Sequence, residues 1–170
     1  NVNDAPTITS TGVTSATEDV AYSYRVTTSD VDAGDSVTVI PTAMPNWLSF
    51  DGTTLSGTPS NSDVGNNNVV LIATDSNSAT TTQSFTIAVA NVNDAPTFTS
   101  TGVTSATEDV AYSYTVTTSD VDTGDSVTVT ATTKPSWLSF DGTTLSGTPS
   151  NSDVGNNNVV LIATDSNSAT

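Results

Sequence analysis

The sequence repeats itself almost without change at a period of 90 residues, which constrains the fold more than any other feature. NVNDAP stands at 1–6 and again at 91–96. Two copies this similar must fold alike, so we expect two domains, 1–90 and 91–170. Between 1–80 and 91–170 the copies differ only at Ile8/Phe98, Arg25/Thr115, Ala33/Thr123, Ile40/Thr130, Pro41/Ala131, Ala43/Thr133, Met44/Lys134 and Asn46/Ser136.

The second copy stops at Thr170, before any counterpart of residues 81–90. In the first copy that segment alternates apolar Phe85, Ile87 and Val89 with polar or small residues, as a half-buried strand does. We therefore expect the chain to be a piece cut from a longer array. The second core is expected to be open at a sheet edge, where a neighbouring molecule would supply the strand.

Short alternating segments rich in Thr and Val, with turn residues between them, predict seven strands per copy. Ser15–Asp19 reads as a polar turn, and Asp51-Gly52 as a hairpin turn. The pattern is typical of an all-β, immunoglobulin-like β-sandwich. The strands predicted in the first copy are Thr7–Val13, Val20–Thr27, Ser36–Ile40, Trp47–Phe50, Thr53–Ser56, Asn67–Thr74 and Thr80–Ala90.

The core is expected to take its large side chains from the strands and the hairpin. Val20 and Val26 are expected to share one face of their strand with the two tyrosines. Packing is the simpler interpretation of Trp47, and stacking of an exposed Trp47 or Trp137 on a sugar is the alternative. The expected core residues are Tyr22, Tyr24, Trp47, Phe50, Leu55, Leu71 and Phe85.

The charge of the chain excludes several partners. It has 18 acidic residues against two basic ones, for a formal net charge of −16. Nucleic acids and anionic lipids are bound through Lys and Arg, so we expect neither as a partner. No segment is apolar enough to insert into a membrane.

Catalysis is not expected. The chain has no histidine and no cysteine, and its acids are predicted on loops without a cleft, which leaves no nucleophile–base pair. The absence of cysteine also means that no disulfide can stabilise these small domains, and a metal ion is the usual substitute.

Strands that alternate in direction gather the acidic loops at the two ends of each copy. At the junction of the copies, oxygen ligands should converge from the first copy, the linker and the second copy. These candidate metal ligands are Glu18, Asp19, Asp63, Asn91, Asn93, Asp94, Asp120, Asp122, Asp125 and Asp165. A matching half-site at the N-terminus would comprise Asn1, Asn3, Asp4, Asp30, Asp32, Asp35 and Asp75.

The chemistry of this set favours Ca²⁺. Two carboxylates about 4 Å apart repel by about 4 kcal/mol at an effective dielectric constant near 20, so a dense cluster needs cations. Every ligand is an oxygen, and Ca²⁺ accepts six to eight of them in irregular geometry. The loop Asp30–Asp35 is not an EF-hand, because its twelfth position is Pro41 where a bidentate Glu is required.

These motifs resemble a known family. NVNDAP resembles the DxNDNxP linker of cadherins, and SDVDAGD and SDVDTGD resemble the cadherin DxD loop. PNWLSFDGTTLSGTPSNSDVG followed by VVLIATDSNSA is similar to the dystroglycan-type cadherin-like repeat, also called the putative Ig repeat of bacterial surface proteins. Near-identical tandem copies are similar to the extender regions of giant bacterial adhesins of the RTX type.

The resemblance implies tandem immunoglobulin/cadherin-like sandwiches with Ca²⁺ at each junction, which stiffens the array. By position, the best matches to cadherin ligands are Glu18, Asn93, Asp94, Asp120, Asp122 and Asp165, while the cadherin DRE triplet is absent. The implied function is a structural extender on the outer surface of a bacterial cell, whose partners are neighbouring repeats. A carbohydrate- or protein-binding module is the alternative.

Overall fold

A computed structural model describes residues 2–170. The chain forms two compact units, Asn1–Val92 and Asn93–Thr170. Each unit consists of β-strands and a single 3₁₀ turn within the described residues, and the units are considered separately.

The first unit has nine strands within residues 2–92 and a 3₁₀ turn at Asn61–Asp63. The strands are β1 (Thr7–Ile8), β2 (Ser15–Thr17), β3 (Tyr22–Arg25), β4 (Thr28–Ser29), β5 (Thr38–Ala43), β6 (Leu48–Phe50), β7 (Thr54–Gly57), β8 (Gly65–Thr74) and β9 (Thr80–Ala90). One sheet has the order β2-β9-β8-β5, a second the order β3-β7-β6, and β1 pairs with β4.

The longest ladder of the first unit joins β8 and β9. The two strands are antiparallel and stay in register from the Gly65–Val89 pair to the Thr74–Thr80 pair. On its other side, β9 pairs in parallel with β2. Strand β9 is therefore an interior strand that holds the four-stranded sheet together.

The core lies where the alternating apolar side chains of the two sheets meet. Leu55, Leu71 and Ile87 are fully buried there. The two tyrosines of β3 are buried too: Tyr22 meets Trp47 edge to face and Tyr24 meets Phe85 in the same way. The predicted all-β fold is confirmed, and the predicted aromatic and leucine residues belong to or pack on this core.

Several predicted strand bounds were wrong. The polar segment Ser15–Thr17 is not a turn but the edge strand β2, because its backbone pairs with β9 while its Ala16 packs on the core. Val20 lies in a turn and is 55% exposed, so it does not share the buried face of Tyr22. Strand β5 continues through Pro41, which sits at a ladder irregularity that tolerates a missing N–H.

The second unit repeats this arrangement in part, with a 3₁₀ turn at Asn151–Asp153. The strands are β10 (Thr97–Phe98), β11 (Tyr112–Thr115), β12 (Thr118–Ser119), β13 (Thr128–Thr133), β14 (Leu138–Phe140), β15 (Thr144–Gly147) and β16 (Val160–Thr164). Their pairings are β11-β15-β14, β13-β16 and β10-β12. Residues 93–170 form no strand equivalent to β2 or β9.

Within residues 2–170, no helix has the length and apolar character that a membrane crossing requires.

We predict that Gly57→Ala destabilises the first unit by about 3 kcal/mol, because overpacking at a rigid contact is costly. A Cβ at Gly57 would overlap the backbone carbonyl oxygen of Trp47, which belongs to the chain entering β6. Urea unfolding measures the effect. Ala33→Thr is the control, since the second copy already carries Thr123 at that position. Equal stability of the two variants would contradict this packing.

We predict that Asp51 makes a pH-dependent contribution to the stability of the first unit. Its Oδ1 accepts the backbone N–H groups of Thr53 at 2.8 Å and Thr54 at 2.7 Å. These bonds, with one from the Thr53 hydroxyl, lower the pKa of Asp51 below its usual 3.8. The stabilisation that Asp51 provides is complete above its pKa in the unfolded chain. It disappears as the pH falls through the pKa of Asp51 in the folded chain.

Asp51→Ala should therefore lower the melting temperature at pH 7, and the difference from the unmodified chain should shrink towards about pH 2. Asp51→Asn keeps the acceptor without the titration and should be nearly independent of pH over this range. A pH-independent penalty for Asp51→Ala would contradict the assignment.

Candidate metal centre

Three separate segments form one end of the second unit, which we call its head. They are residues 93–94 before β10, the loop 120–125 between β12 and β13, and the loop 165–169 after β16. The loops lie together because antiparallel strands return the chain to the same end of the sandwich. The head holds six of the predicted ligands: Asn93, Asp94, Asp120, Asp122, Asp125 and Asp165.

Hydrogen bonds fix the entering segment to both loops. The Asn93 amide donates to Asp165 Oδ2 at 2.8 Å. The backbone N–H of Asp94 donates to Asp122 Oδ2 at 2.7 Å. Because each bond has a charged acceptor, each is stronger than a neutral one. The linker is thus bound into the head through neutral donors, which leaves the charge of the aspartates unbalanced.

The carboxylates of the loop 120–125 crowd together. Asp120, Asp122 and Asp125 each offer an oxygen, and these three oxygens lie within 4.8 Å of one another. Asp122 is only 6% exposed, so water screens it poorly. Three like charges at this spacing repel strongly, and a bound cation is the usual way to hold them.

One oxygen of this cluster has no hydrogen-bond partner. Asp120 Oδ1 accepts the backbone N–H of Asp122 at 2.9 Å, but the buried Asp120 Oδ2 accepts none. The same holds for Asp30 Oδ2 in the first unit. A buried carboxylate oxygen without a donor is costly, and most such atoms in proteins have a partner. A metal ion would satisfy it.

Asp165 is held in its ionised form by local donors. Its Oδ1 accepts the backbone N–H groups of Asn167 at 2.8 Å and Ala169 at 2.9 Å. Burial raises the pKa of Asp165, but the bonds from Asn93 and from this backbone outweigh it, so the pKa lies below 3.8. A carboxylate that keeps its charge at neutral pH is a suitable metal ligand.

Asn167 is a residue of the head that our sequence reasoning missed. Its amide donates to both carboxylate oxygens of Asp125, at 3.1 and 3.0 Å, and to Asn93 Oδ1 at 3.0 Å. It therefore bridges the entering segment and the acidic loop. The signal in the sequence was the DSN triplet that follows the predicted strand, of which only the Asp was selected.

The head of the first unit, formed by residues 3–4, 30–35 and 75–79, repeats the hydrogen bonds of the second head but brings a different trio of acids together. Asp30, Asp35 and Asp75 offer oxygens within 4.8 Å of one another. Asn3 donates to Asp75 Oδ2 at 3.0 Å, and the backbone N–H of Asp4 donates to Asp32 Oδ2 at 2.7 Å. The predicted ligand Asn1 lies outside the described residues.

The opposite end of the first unit, which we call its foot, holds the other predicted ligands. Glu18 is only 1% exposed, and its Oε2 accepts the backbone N–H of Val92 at 3.1 Å. Asn91 Oδ1 accepts the Asn61 amide at 3.4 Å. Glu18 is therefore a buried carboxylate that is hydrogen-bonded to Val92, the last residue of the unit.

Two predicted ligands of the foot have local structural roles. Asp63 Oδ2 accepts the backbone N–H and the hydroxyl of Ser60, at 2.9 and 2.7 Å, which caps the 3₁₀ turn. Asp19 has a φ of 57° and donates its N–H to the Pro59 carbonyl at 2.9 Å. Both contacts shape the turns around Glu18.

The tryptophans are fixed by packing. Trp47 Nε1 donates to Asn67 Oδ1 at 3.1 Å, and its ring meets Tyr22 at 5.6 Å between centroids. Trp137 repeats these contacts with Asn157 and Tyr112. This arrangement favours packing over sugar stacking.

The donor set of the heads fits Ca²⁺. It consists of carboxylate and amide oxygens without nitrogen or sulfur, which hard cations prefer. The unpartnered Asp120 Oδ2 and Asp30 Oδ2 show where charge is uncompensated. The residues that could hold an ion in the second head are Asn93, Asp94, Asp120, Asp122, Asp125 and Asp165.

Comparison with known proteins gives a family and a fold. A family model described as "Putative Ig domain" matches residues 5–90 and 95–170. A search of the curated proteins finds no match.

Cadherin domains of protocadherin gamma B2 (domains 3-6) align with a TM-score of 0.52 and 19% identity, covering 96% of this chain and 49% of theirs. Human mucin-like protocadherin EC1-2 aligns with a TM-score of 0.51 and 14% identity, covering 94% and 96%. At these identities the likeness establishes the fold alone.

An endo-fucoidan hydrolase of glycoside hydrolase family 107 aligns at 28% identity with a TM-score of 0.46, covering 94% of this chain and 28% of the hydrolase. The chain thus spans about a quarter of that enzyme's length.

We predict that Asn167→Asp destabilises the second unit by about 1–3 kcal/mol in the presence of a chelator. The change replaces the donor to Asp125 with another carboxylate in the crowded head. Thermal or urea unfolding measures it. Asn158→Asp, at an exposed position outside the head, adds the same charge and is the control. An equal loss in both variants would mean that net charge, and not the head, is responsible.

Proposed function

Since the chain belongs to the Putative Ig domain family over residues 5–90 and 95–170, we propose that it is a non-catalytic structural module of a tandem array, stabilised by Ca²⁺. The observation that carries this proposal is the buried, unpartnered oxygen of Asp120 within a cluster of three aspartates. The repetition of that feature at Asp30 supports it, because two copies then present the same need for a cation.

Within one head, Ca²⁺ would be held by the loop aspartates and by Asp165. The ion supplies positive charge where hydrogen bonds cannot, since the nearby N–H donors already serve Asp122, Asp165 and Asp120 Oδ1. The protein supplies a rigid set of acceptors, which lowers the cost of ordering them around the ion. Binding therefore stabilises the folded repeat by mass action.

Between repeats, we propose that the foot of one copy and the head of the next share this ion or its neighbours. Glu18 and Asn91 would contribute from the foot, and Asn93 and Asp94 from the linker. Support comes from the chain itself: Val92 donates to Glu18 in the first unit, while the next residue, Asn93, donates to Asp165 in the second.

Such a shared site would couple Ca²⁺ to the stiffness of the array. The ion binds the assembled junction better than a bent one, so it shifts the population towards one geometry. Extracellular modules bind Ca²⁺ at about 10⁻⁴–10⁻³ M, in the range of extracellular concentrations. The finer role we propose is an extender in a bacterial surface adhesin, which holds more distal domains away from the cell.

We predict that Ca²⁺ raises the free energy of unfolding by about 1.5–3 kcal/mol at about 10 mM. Asp120→Asn should remove most of this gain for the second unit, because it replaces the unpartnered carboxylate oxygen. Thermal melts with and without Ca²⁺, supported by calorimetric titration, measure both effects.

The matched control is Asp141→Asn. It makes the same charge change in a hairpin turn outside the heads and keeps the Oδ1 acceptor that Thr143 and Thr144 use. It should retain the full Ca²⁺ response. A response that is absent in the unmodified chain, or equal in Asp120→Asn and Asp141→Asn, would refute the proposed site.

A further inference from the structure

Strand β13 of the second unit has a free side. Within residues 93–170 it pairs only with β16, so the backbone groups on its other side lack a neighbouring strand. The first unit has the same arrangement, because β5 is the last strand of the sheet β2-β9-β8-β5. An unpaired edge is a template to which another strand can add, and proteins often block it with proline or charged residues.

The first copy blocks this edge, whereas the second leaves it open. Strand β5 contains Pro41, which pairs with Leu71 although it has no N–H to donate. Proline is accepted in an edge strand where its nitrogen faces away from the neighbouring strand, so Pro41 removes a donor from the free side. Ala131 is its counterpart in β13 and pairs with Leu161 in the same register, so it offers an outward N–H there. Residues 126–133 also carry no charged side chain.

The differences between the two copies concentrate at this edge. Five of the eight positions that differ fall within residues 130–136, in β13 and the turn that follows it. Where the first copy has Pro41 and Met44, the second has Ala131 and Lys134. The second copy therefore gains a backbone donor and a positive charge at one place.

The positive charge stands at one end of the edge. Lys134 is the only basic residue between positions 93 and 170, and it follows directly on the last residue of β13. Its side chain is exposed, and its ammonium group donates to the Leu138 carbonyl oxygen at 2.7 Å. An ammonium group has three hydrogens, so two remain for a carboxylate of another chain.

The acidic head lies at the other end of β13, where the loop 120–125 leads into the strand. If two copies of β13 paired in parallel, their heads would lie side by side and the like charges would repel. An antiparallel pair separates the two heads. It also brings Lys134 of each copy towards Asp125 of the other, so the charges across the pair are complementary.

We propose that β13 is a self-association site, to which the β13 strand of a second copy of this chain adds antiparallel. The regular part of the ladder sets the register. Backbone groups alternate in direction along a strand, so Val129 and Ala131 are the residues that point theirs outward. Both are used when Ala131 of each copy faces Val129 of the other, which puts a two-fold axis at Thr130. Backbone hydrogen bonds give such a pair its affinity.

This pair joins two chains side by side through the second repeat, while Pro41 keeps the first repeat out of the contact. The interaction is separate from Ca²⁺ binding and from the succession of repeats along one chain. It therefore goes beyond the proposed function, since it adds contacts between arrays to the array itself.

The test is sedimentation velocity of the full chain over a range of concentrations, in a chelator so that no cation can bridge acidic heads. We expect a concentration-dependent equilibrium between monomer and dimer. Ala131→Pro should weaken the dimer at least roughly ten-fold, because each copy loses one outward backbone donor. The variant should fold, since the first copy has proline at the same position. Lys134→Met, which also restores the residue of the first copy, should weaken the dimer as well.

Thr123→Ala is the matched control. It too restores a residue of the first copy, but it lies in the loop before β13 and should dimerise like the unmodified chain. A chain that stays monomeric at every concentration would overturn the proposal, and so would an Ala131→Pro dimer as stable as that of the unmodified chain. Either result would leave the proposed role of Ca²⁺ untouched.

Cysteine cross-linking tests the register, because the chain contains no cysteine of its own. Thr130→Cys places two thiols on directly opposed residues at the axis, about 4.5–5.5 Å apart between Cα atoms, which a disulfide can span. Thr128→Cys places its two thiols four positions apart, about 13 Å along the strands, which is too far. Mild oxidation should link Thr130→Cys into dimers and leave Thr128→Cys largely unlinked. Equal cross-linking of the two variants would contradict the pairing.

Discussion

Repulsion among the aspartates at the head of each repeat is the interaction on which the rest of the account depends. In the second unit, oxygens of Asp120, Asp122 and Asp125 lie within 4.8 Å of one another. Backbone and amide donors fix these side chains but do not neutralise them. No donor reaches Asp120 Oδ2, which is buried and accepts no hydrogen bond. Because neutral donors position these carboxylates without neutralising them, the site still needs positive charge.

The scaffold explains how such a site can be placed without disulfides or a large core. Antiparallel strands bring distant loops to one end, so residues 72 positions apart, Asn93 and Asp165, become hydrogen-bonded neighbours. The core itself is thin and depends on strand β9, which pairs with β8 and β2 and seats Phe85 against Tyr24.

Sequence reasoning succeeded where a period or a charge pattern determined the outcome. The 90-residue repeat and the alternating strands predicted the sandwich class, and the range Thr80–Ala90 agrees with β9. Reasoning from polarity failed at Ser15–Thr17, whose pairing with β9 depends on tertiary contacts and not on side-chain character. It also failed at Val20, which follows a positive-φ Asp19 that turns the chain away from the core.

For the head, charge spacing selected the aspartates but not the side chains that position them. Asn167 was missed because an amide donor in a loop carries no periodic signal, and its importance appears only when Asp125 and Asn93 are brought beside it. The unpartnered oxygen of Asp120 could not be predicted either. Burial and the supply of donors are properties of the folded chain, not of the residue order.

The most direct test of the central claim, that Ca²⁺ joins the foot of one repeat to the head of the next, is a distance measurement between the units. The chain contains no cysteine, so spin labels can be placed at Asn46→Cys and Ser136→Cys, which are exposed turn positions outside heads and foot. Pulsed electron–electron double resonance then gives the distribution of distances between the two spin labels. The account predicts one narrow distribution with Ca²⁺ that broadens when a chelator is added. The same distribution in both conditions would contradict it.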